Sequence, residues 1–240
     1  MTNGQGINVR KRDGSLTPLN IDKIHKVVDE ACEGLGSGVS ASSVEMNSDL
    51  QFFDGIQTKD IHEILIKSAS DLISIENPNY QFVAARLLLY GVYKQVFGSE
   101  WVKGLPAVLD HCNNCIEKKV YDPEIVEKYT YEEWSKINSW IDHGRDNLFT
   151  YAGLRQVVDK YLVQDRSSSE VYETPQYMYM MIAVTLFRDY TDNRLEYIRR
   201  YYNAISKHKI NIPTPIMAGV RTPLRQFASC VLVDADDTLD

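Results

Sequence analysis

The stretch I-N-V-R-K-R-D-G-S-L-T-P-L-N, residues 7–20, decides how the N-terminal part of the chain folds. Ile7 and Val9 alternate with polar residues, as they do in a half-buried strand. Asp13-Gly14 is a two-residue turn signal because glycine tolerates a positive φ. Pro18 lacks an N–H group, so the returning strand is short or lies at a sheet edge. The stretch therefore predicts a β-hairpin.

Apolar residues at helical spacing predict four helices after the hairpin. Asn20 or Asp22 can cap the first, which ends at a run of glycines from residue 34 on. The second is expected over residues 41–53, the third over 58–73 with Thr58 as its cap, and the fourth up to Phe97. Amphipathic helices bury their apolar stripes against one another, so residues 1–98 should form one unit.

The pattern stays helical over most of the remaining chain. The predicted helices cover residues 106–119, 131–141, 151–161, 175–187 and 193–207, and two short strands are expected around a polar turn in 161–173. Three prolines and a glycine exclude a long helix in residues 211–225. The apolar run Cys230–Val233 predicts a buried strand, which would need sheet neighbours to satisfy its backbone groups.

Composition limits the classes of function. The chain has 240 residues, of which 44% are hydrophobic and 25% are charged, as in an ordinary folded protein of one large or two modest domains. Its net charge of −7 argues against a broad surface for nucleic acid or an anionic membrane. The apolar run 177–187 is shorter than the roughly 20 residues of a membrane span. With only four cysteines and no signal-peptide pattern, we expect a soluble, reduced, cytoplasmic protein.

Positive charges cluster at the hairpin tip and on the helix that follows it. They are Arg10, Lys11, Arg12, Lys23, His25 and Lys26. Lysines beside a helix N-terminus can bind phosphate, although a solvated charged hairpin would show the same pattern. The Gly-rich fingerprints G-x-x-x-x-G-K-[ST] and G-x-G-x-x-G are both missing from the sequence.

The cysteines give weaker signals. Cys112 and Cys115 form a lone C-x-x-C without a second pair, so helix packing explains them better than zinc or redox chemistry. Cys32 lies on an apolar helix face and is expected in the core. Cys230 stands at the start of the predicted strand, where an active site can open, but a buried inert thiol fits that pattern equally well.

Several motifs together resemble the large (alpha) subunits of class I ribonucleotide reductases of the bacterial and bacteriophage type. V-R-K-R-D-G-S, N-I-D-K-I-H-K-V, D-G-I-Q-T-K-D-I-H-E and N-Y-Q-F-V-A-A-R-L resemble the ATP cone of that family. The tail P-T-P-I-M-A-G-V-R-T-P-L-R-Q-F-A-S-C-V-L-V resembles the start of its catalytic barrel. The resemblance implies a mainly α fold with a small β component. A hairpin-capped four-helix ATP cone (1–98) would precede a helical domain (99–212) and the first strand of an α/β barrel (213–240).

The resemblance also implies specific site residues. An effector site for ATP or dATP, with Mg²⁺, would use Lys11, Thr17, Pro18, Leu19, Asn20, Ile21, Asp22, Lys23, Thr58, His62 and Lys94. In the tail, Thr214 and Ser229 would hold the substrate, and Cys230 would be one of two thiols that reduce the 2′ carbon of the ribose. Asp237, Thr238 and Leu239 would begin a specificity-effector site. The family offers no role for Cys112 and Cys115, and no metal site is expected in this chain.

The implied activity is ribonucleoside-diphosphate reduction, for which this chain alone would be insufficient. The radical-forming cysteine, the glutamate base, the second reducing cysteine and the C-terminal cysteine relay have no matching positions here. We therefore expect a truncated or naturally split subunit in the cytoplasm (of the host, if the protein is viral). Expected partners are the C-terminal part of the large subunit, a small (beta) subunit with a diiron-tyrosyl radical, thioredoxin or glutaredoxin, and ribonucleoside diphosphates.

No nucleic acid, membrane or prosthetic group is expected to bind the chain. The main alternative is a nucleotide-sensing ATP-cone module without reductase activity, and a further one is a helical interaction scaffold.

Overall fold

The computed structural model describes residues 6–11, 14–49 and 51–233 of the chain. These residues are mainly helical with two small sheets, so the predicted fold class is confirmed. The chain divides into two compact units. The first contains the residues up to Lys103 together with Gly144–Val158, and the second contains Gly104–His143 and the residues from Asp159 on. The proposed limits 1–98, 99–212 and 213–240 stay predictions.

The first unit contains the predicted hairpin and one strand that the pattern did not reveal. β1 (Asn8–Arg10) pairs antiparallel with β2 (Leu16–Pro18), with Val9 opposite Thr17. β3 (Ile56–Gln57) pairs parallel with β1, which gives the sheet order β2-β1-β3. Just before β3, the carboxylate of Asp54 accepts the backbone N–H of Asn8 at 2.7 Å and so holds the third strand beside the hairpin.

The four helices predicted for this unit are confirmed, with shifted ends. They are α1 (Ile21–Cys32), α2 (Ala41–Asp49), α3 (Thr58–Asp71) and α4 (Tyr80–Phe97). Their facing sides bury Val28, Leu65, Val83 and Leu87 almost completely. Helix α2 is shorter than expected. Thr58 is the first residue of α3 rather than its cap, a position that Gln57 occupies.

The second unit has a helical core around one fully buried helix. Its elements are α5 (Val108–Glu117), α6 (Glu124–Glu127), α7 (Tyr131–Ser139), β4 (Gln164–Asp165), β5 (Glu170–Val171), α9 (Pro175–Leu186), α10 (Arg194–Ser206) and α11 (Thr214–Gly219); α8 (Tyr151–Gln156) belongs to the first unit. Every residue from Pro175 to Thr185 is buried, so α9 is surrounded by protein on all sides. The positions of these elements confirm the predicted helices and the predicted hairpin, which β4 and β5 form. No helix in the described ranges is long and apolar enough to cross a membrane.

The buried strand predicted at Cys230–Val233 is wrong. This segment is irregular, and Val231 and Val233 are 78% and 81% exposed. A strand must exchange backbone hydrogen bonds with a neighbour, and the part of the chain that the structure describes places no strand beside this one.

Candidate effector site and cysteine-bearing tail

The segment Thr17–Lys23 leads from the hairpin into the first helix of the cone. Leu19 donates its N–H to the carbonyl of Ile7 at 2.9 Å, which fixes the chain just after β2. The side chain of Asn20 then accepts the N–H of Lys23 at 2.9 Å and caps α1. The cap satisfies one of the free N–H groups of the first turn and orients that turn. The Lys23 side chain is exposed.

Lys11 and Thr58 lie at one end of the three-stranded sheet. Lys11 follows β1 and closes the hairpin, because it donates its N–H to the carbonyl of Ser15 at 2.9 Å. Thr58 follows β3, and the parallel register pairs Arg10 with Gln57 immediately before them. Since parallel strands end at the same edge, the two residues share this end of the sheet. The Asn20 cap lies toward the opposite end of the hairpin, because it follows β2, which runs antiparallel to β1.

His62 links α3 to α4 one turn after Thr58. Its Nε2 lies 2.7 Å from the carbonyl oxygen of Leu87, which can only accept, so Nε2 carries the proton and Nδ1 is an acceptor. Burial lowers the pKa of His62, and the nearby positive charge of Lys94 lowers it further, although the bond to Leu87 opposes both. His62 is therefore neutral near pH 7, beside an exposed lysine.

In the structure, most of the predicted effector residues fall into two separate groups. One group is the α1 entry, with Thr17, Pro18, Leu19, Asn20, Ile21, Asp22 and Lys23. The other is the α3–α4 side, where His62 and Lys94 are close enough to interact electrostatically and Thr58 opens the helix that carries His62. Three exposed lysines, at positions 11, 23 and 94, come from three different elements of this unit.

The tail residues are placed less completely. Thr214 is the exposed first residue of α11. Ser229 Oγ lies 3.9 Å from Cys230 Sγ, and both residues are exposed. Asp237, Thr238 and Leu239 lie outside the described residues. The structure therefore presents a free, accessible thiol at Cys230. The substrate and specificity-effector roles of the tail residues stay predictions.

Comparison with known proteins decides the family. Residues 7–95 match the ATP cone domain, and residues 147–225 match the all-alpha domain of ribonucleotide reductase. The chain is 48% identical over 237 residues to ribonucleoside-diphosphate reductase 1 subunit alpha of Escherichia coli, a match that covers 98% of this chain. The alpha subunit of Enterobacteria phage T4 is 42% identical over 237 residues, again with 98% of this chain covered. The chain belongs to the ribonucleotide reductase alpha-subunit family.

This ribonucleotide reductase chain corresponds to the N-terminal portion of its relatives. It spans 31% of the length of the Escherichia coli subunit and 30% of that of the phage T4 subunit. The predicted resemblance is confirmed at the level of family and domain content. The individual site residues stay predictions.

Sequence inspection missed Gly91, which shapes the reductase cone beside His62. A Cβ atom at this position would lie 2.8 Å from His62 Nε2, closer than Cβ atoms come to other atoms in real structures. The imidazole therefore occupies space that only a glycine leaves free. A lone glycine inside a helical pattern is the signal that could have revealed it, because glycine costs about 1 kcal/mol there relative to alanine.

Two of the remaining cysteines of the reductase chain, Cys112 and Cys115, are packed inside the protein, as predicted. Both are buried on α5, and burial raises the pKa of Cys112 to about 12. Cys115 Sγ lies 3.6 Å from His111 Nε2, and burial lowers the pKa of His111 to about 4, so both groups are neutral. Cys32 is only half-buried, less than a core position implies. Within the described ranges, no cluster of histidine, cysteine or acidic residues is suited to a metal ion.

A surface depression of about 610 Å³ lies in the second unit and is unrelated to the predicted residues. Its charged residues are already paired: Arg194 binds Glu133 at 2.9 Å, and Lys128 binds Asp189 at 2.9 Å. The remaining charged lining residue, Arg188, binds Asp122 at 3.1 Å, so each charge of the depression already has a protein partner.

Proposed function

We propose that this chain is the effector-binding and substrate-contacting portion of a ribonucleoside-diphosphate reductase alpha subunit. The ATP cone would sense ATP and dATP, and the tail would contribute Thr214, Ser229 and Cys230 to the reduction of ribonucleotides. The observation that carries the proposal is the coexistence of two domains of this family in one chain. A nucleotide-sensing module without reductase activity would not need the all-alpha domain.

The effector part of the proposal is supported by charge. A nucleoside triphosphate carries several negative charges, and lysines at positions 11, 23 and 94 can neutralise them from separate elements. The α1 N-terminus adds N–H groups and the positive end of a helix dipole. We assign the base and ribose to Thr17–Lys23, with Asn20 and Lys23 as the main contacts. Thr58 and neutral His62 would form the opposite wall, and Mg²⁺ would accompany the triphosphate.

In the redox part of the proposal, Cys230 supplies one of the two electrons that reduce the ribose. Two thiols would together supply two electrons and two protons to the ribose. The C2′–OH bond breaks, the hydroxyl leaves as water, a C2′–H bond forms and the two sulfurs join in a disulfide. Thr214 and Ser229 would hold the diphosphate or ribose beside these thiols. A disulfide needs the second sulfur within bonding distance of Cys230, and we assign that sulfur to the part of the alpha subunit that this chain does not span.

The partners follow from this division. The remainder of the alpha subunit would supply the barrel, the radical-forming cysteine and the specificity-effector site that begins at Asp237, Thr238 and Leu239. A beta subunit with a diiron-tyrosyl centre would generate the radical, and thioredoxin or glutaredoxin would reduce the disulfide after each turnover. The reaction would take place in the cytoplasm.

Calorimetric titration of the chain with ATP and dATP, each with Mg²⁺, tests the effector site. We expect Lys11→Ala and Lys94→Ala each to weaken binding about tenfold, the range of one charge-assisted contact. Lys67→Ala is the matched control, because Lys67 is an exposed lysine on α3 that is not assigned to the site. Equal affinities for all of these proteins would reject the assigned pocket.

Reconstitution tests the reductase role. The chain is mixed with a polypeptide that supplies the remaining length of the alpha subunit, together with a beta subunit, and deoxyribonucleoside diphosphate is measured. Cys230→Ser should keep effector binding and abolish repeated turnover, because a hydroxyl cannot form a disulfide. Normal multiple turnover by this variant would remove the role of the thiol. Effector binding without any diphosphate reduction by the unaltered assembly would favour the nucleotide-sensing alternative.

A further inference from the structure

A buried ion pair in the second unit holds the segment that precedes the tail. The side chains of Arg221 and Glu173 are both 0% exposed, and Arg221 Nε donates to Glu173 Oε2 at 2.8 Å. The guanidinium also donates to the carbonyl of Met217 at 2.6 Å and to that of Tyr161 at 2.9 Å. One arginine therefore joins α11 to the helical segment Val157–Tyr161, which ends just before β4.

The carboxylate of Glu173 is as fully bonded as its partner. Besides the guanidinium, it accepts the N–H of Val163 at 2.6 Å and the hydroxyl of Tyr121. The next residue, Asp122, donates its N–H to the carbonyl of Arg221 at 3.0 Å, and its own carboxylate accepts from Arg225 at 3.0 Å. Tyr121 thus bonds the carboxylate that holds Arg221, and the neighbouring Asp122 bonds Arg221 and Arg225 directly. The segment from α11 to Arg225 is therefore fixed, whereas residues 228–233 beyond it are exposed.

Stability alone does not account for this arrangement. Burying two charges costs so much solvation that an apolar pair of similar volume is often at least as stable. An apolar pair, however, could not bond two backbone carbonyls and one backbone N–H at fixed positions. Glu173 and Arg221 therefore determine where the chain segments lie.

We infer that Glu173 and Arg221 are positioning residues for the proposed reductase chemistry. Glu173 orients Arg221, Arg221 fixes the end of α11, and that helix begins with Thr214 and leads to Ser229 and Cys230. The inference rests on the proposed function, since the segment would then present two substrate contacts and a redox thiol. Neither residue touches the substrate; each acts through the chain it holds.

The test compares Glu173→Gln and Arg221→Met with the double variant that carries both changes. A single change leaves one buried charge without its partner, and such a protein can fail to fold. The double variant removes both charges, so it is expected to fold. Glu133→Gln is the matched control, because it breaks another arginine–carboxylate pair of the same unit that does not touch α11.

Hydrogen exchange of the full chain gives the first measurement. In the double variant we expect amides of residues 214–222 to exchange at least about tenfold faster, while α5 and α9 keep their protection. Glu133→Gln should leave residues 214–222 unchanged. A double variant with unaltered exchange in this segment would overturn the inference, and so would a uniform loss of protection across the whole unit.

Kinetics of the reconstituted reductase give the second measurement. Misplacement of Thr214 and Cys230 should raise KM for the ribonucleoside diphosphate and lower kcat, each about tenfold or more, with unchanged ATP binding. Arg221→Lys, which keeps the charge but reaches fewer acceptors, should restore part of the activity. A lower kcat with an unchanged KM would indicate only a smaller folded fraction and would reject the positioning role. An unaltered assembly that reduces no diphosphate would reject the proposed function itself, and with it that role.

Discussion

Replacing Gly91 by alanine tests how the packing around His62 affects both the stability of the cone and its affinity for ATP. Alanine is favoured over glycine inside a helix by about 1 kcal/mol, so propensity alone predicts a more stable protein. The new Cβ, however, would lie 2.8 Å from His62 Nε2, and ordinary van der Waals contact begins at 3.4 Å. The imidazole must therefore retreat by about 0.6 Å or more from this side of α4.

The retreat also affects the hydrogen bond of His62. Leu87, whose carbonyl accepts from Nε2 at 2.7 Å, lies four residues before Gly91 on the same face of α4. Moving the ring away from Gly91 therefore lengthens this bond. A largely buried donor without its acceptor costs about 1–3 kcal/mol, which exceeds the gain in propensity. We expect a net destabilisation of about 1 kcal/mol and a roughly tenfold weaker affinity for ATP, since the Nδ1 acceptor moves as well.

Urea unfolding and calorimetric titration with ATP measure the two effects separately. The double variant Gly91→Ala with His62→Ala is the control, because it removes the clashing ring. It should be about 1 kcal/mol more stable than His62→Ala alone, and it should still bind ATP weakly. If Gly91→Ala alone raised stability by the full helix propensity and left the affinity for ATP unchanged, the assigned position of His62 would be wrong.

Two further predictions concern the second unit. Burial lowers the pKa values of His111 and His143 to about 4, so the unfolded chain takes up these protons first as the pH falls. Stability is complete above pH 6.5 and should decrease between pH 6.5 and 4, by up to about 3 kcal/mol for each histidine; urea midpoints that do not change over this range would contradict it. Exposed Cys230 should react with a thiol reagent in the native chain, whereas buried Cys112 should react only on unfolding; peptide mapping of labelled protein would show equal labelling if this were wrong.

Regular local patterns made most of the fold predictable. The helices of the cone have long apolar stripes and clear boundaries, such as the Asn20 cap and the glycine after Phe97, so their positions could be inferred within a few residues. Strand β3 has only two residues, too few to show any alternation. Its pairing with β1 depends on Asp54 and on contacts distant in sequence, which local patterns do not contain.

The candidate site was predictable only in part. The positions of Lys11, Lys23 and Lys94 followed from the resemblance, whereas the cluster of positive charges around Lys11 and Lys23, taken alone, favoured a solvated hairpin. The buried pair of Glu173 and Arg221 gave no sequence signal, because charged residues are usually exposed and partners 48 residues apart show no periodicity. Burial of such a pair depends on which backbone groups the fold brings within reach, and this is known only from three-dimensional structure.

The same physical argument that predicted a strand at Cys230–Val233 also explains why this segment does not form one. The apolar, β-branched residues favour a buried strand, but burial requires a partner sheet that pairs every backbone group. In the described residues the firmly bonded segment ends near Arg225, and Leu232 beyond it is completely exposed. Under the proposed function, the remaining barrel of the alpha subunit would supply the missing neighbours. The amides of residues 231–233 should then become protected from hydrogen exchange only in the reconstituted enzyme, and equal protection in the isolated chain would refute this explanation.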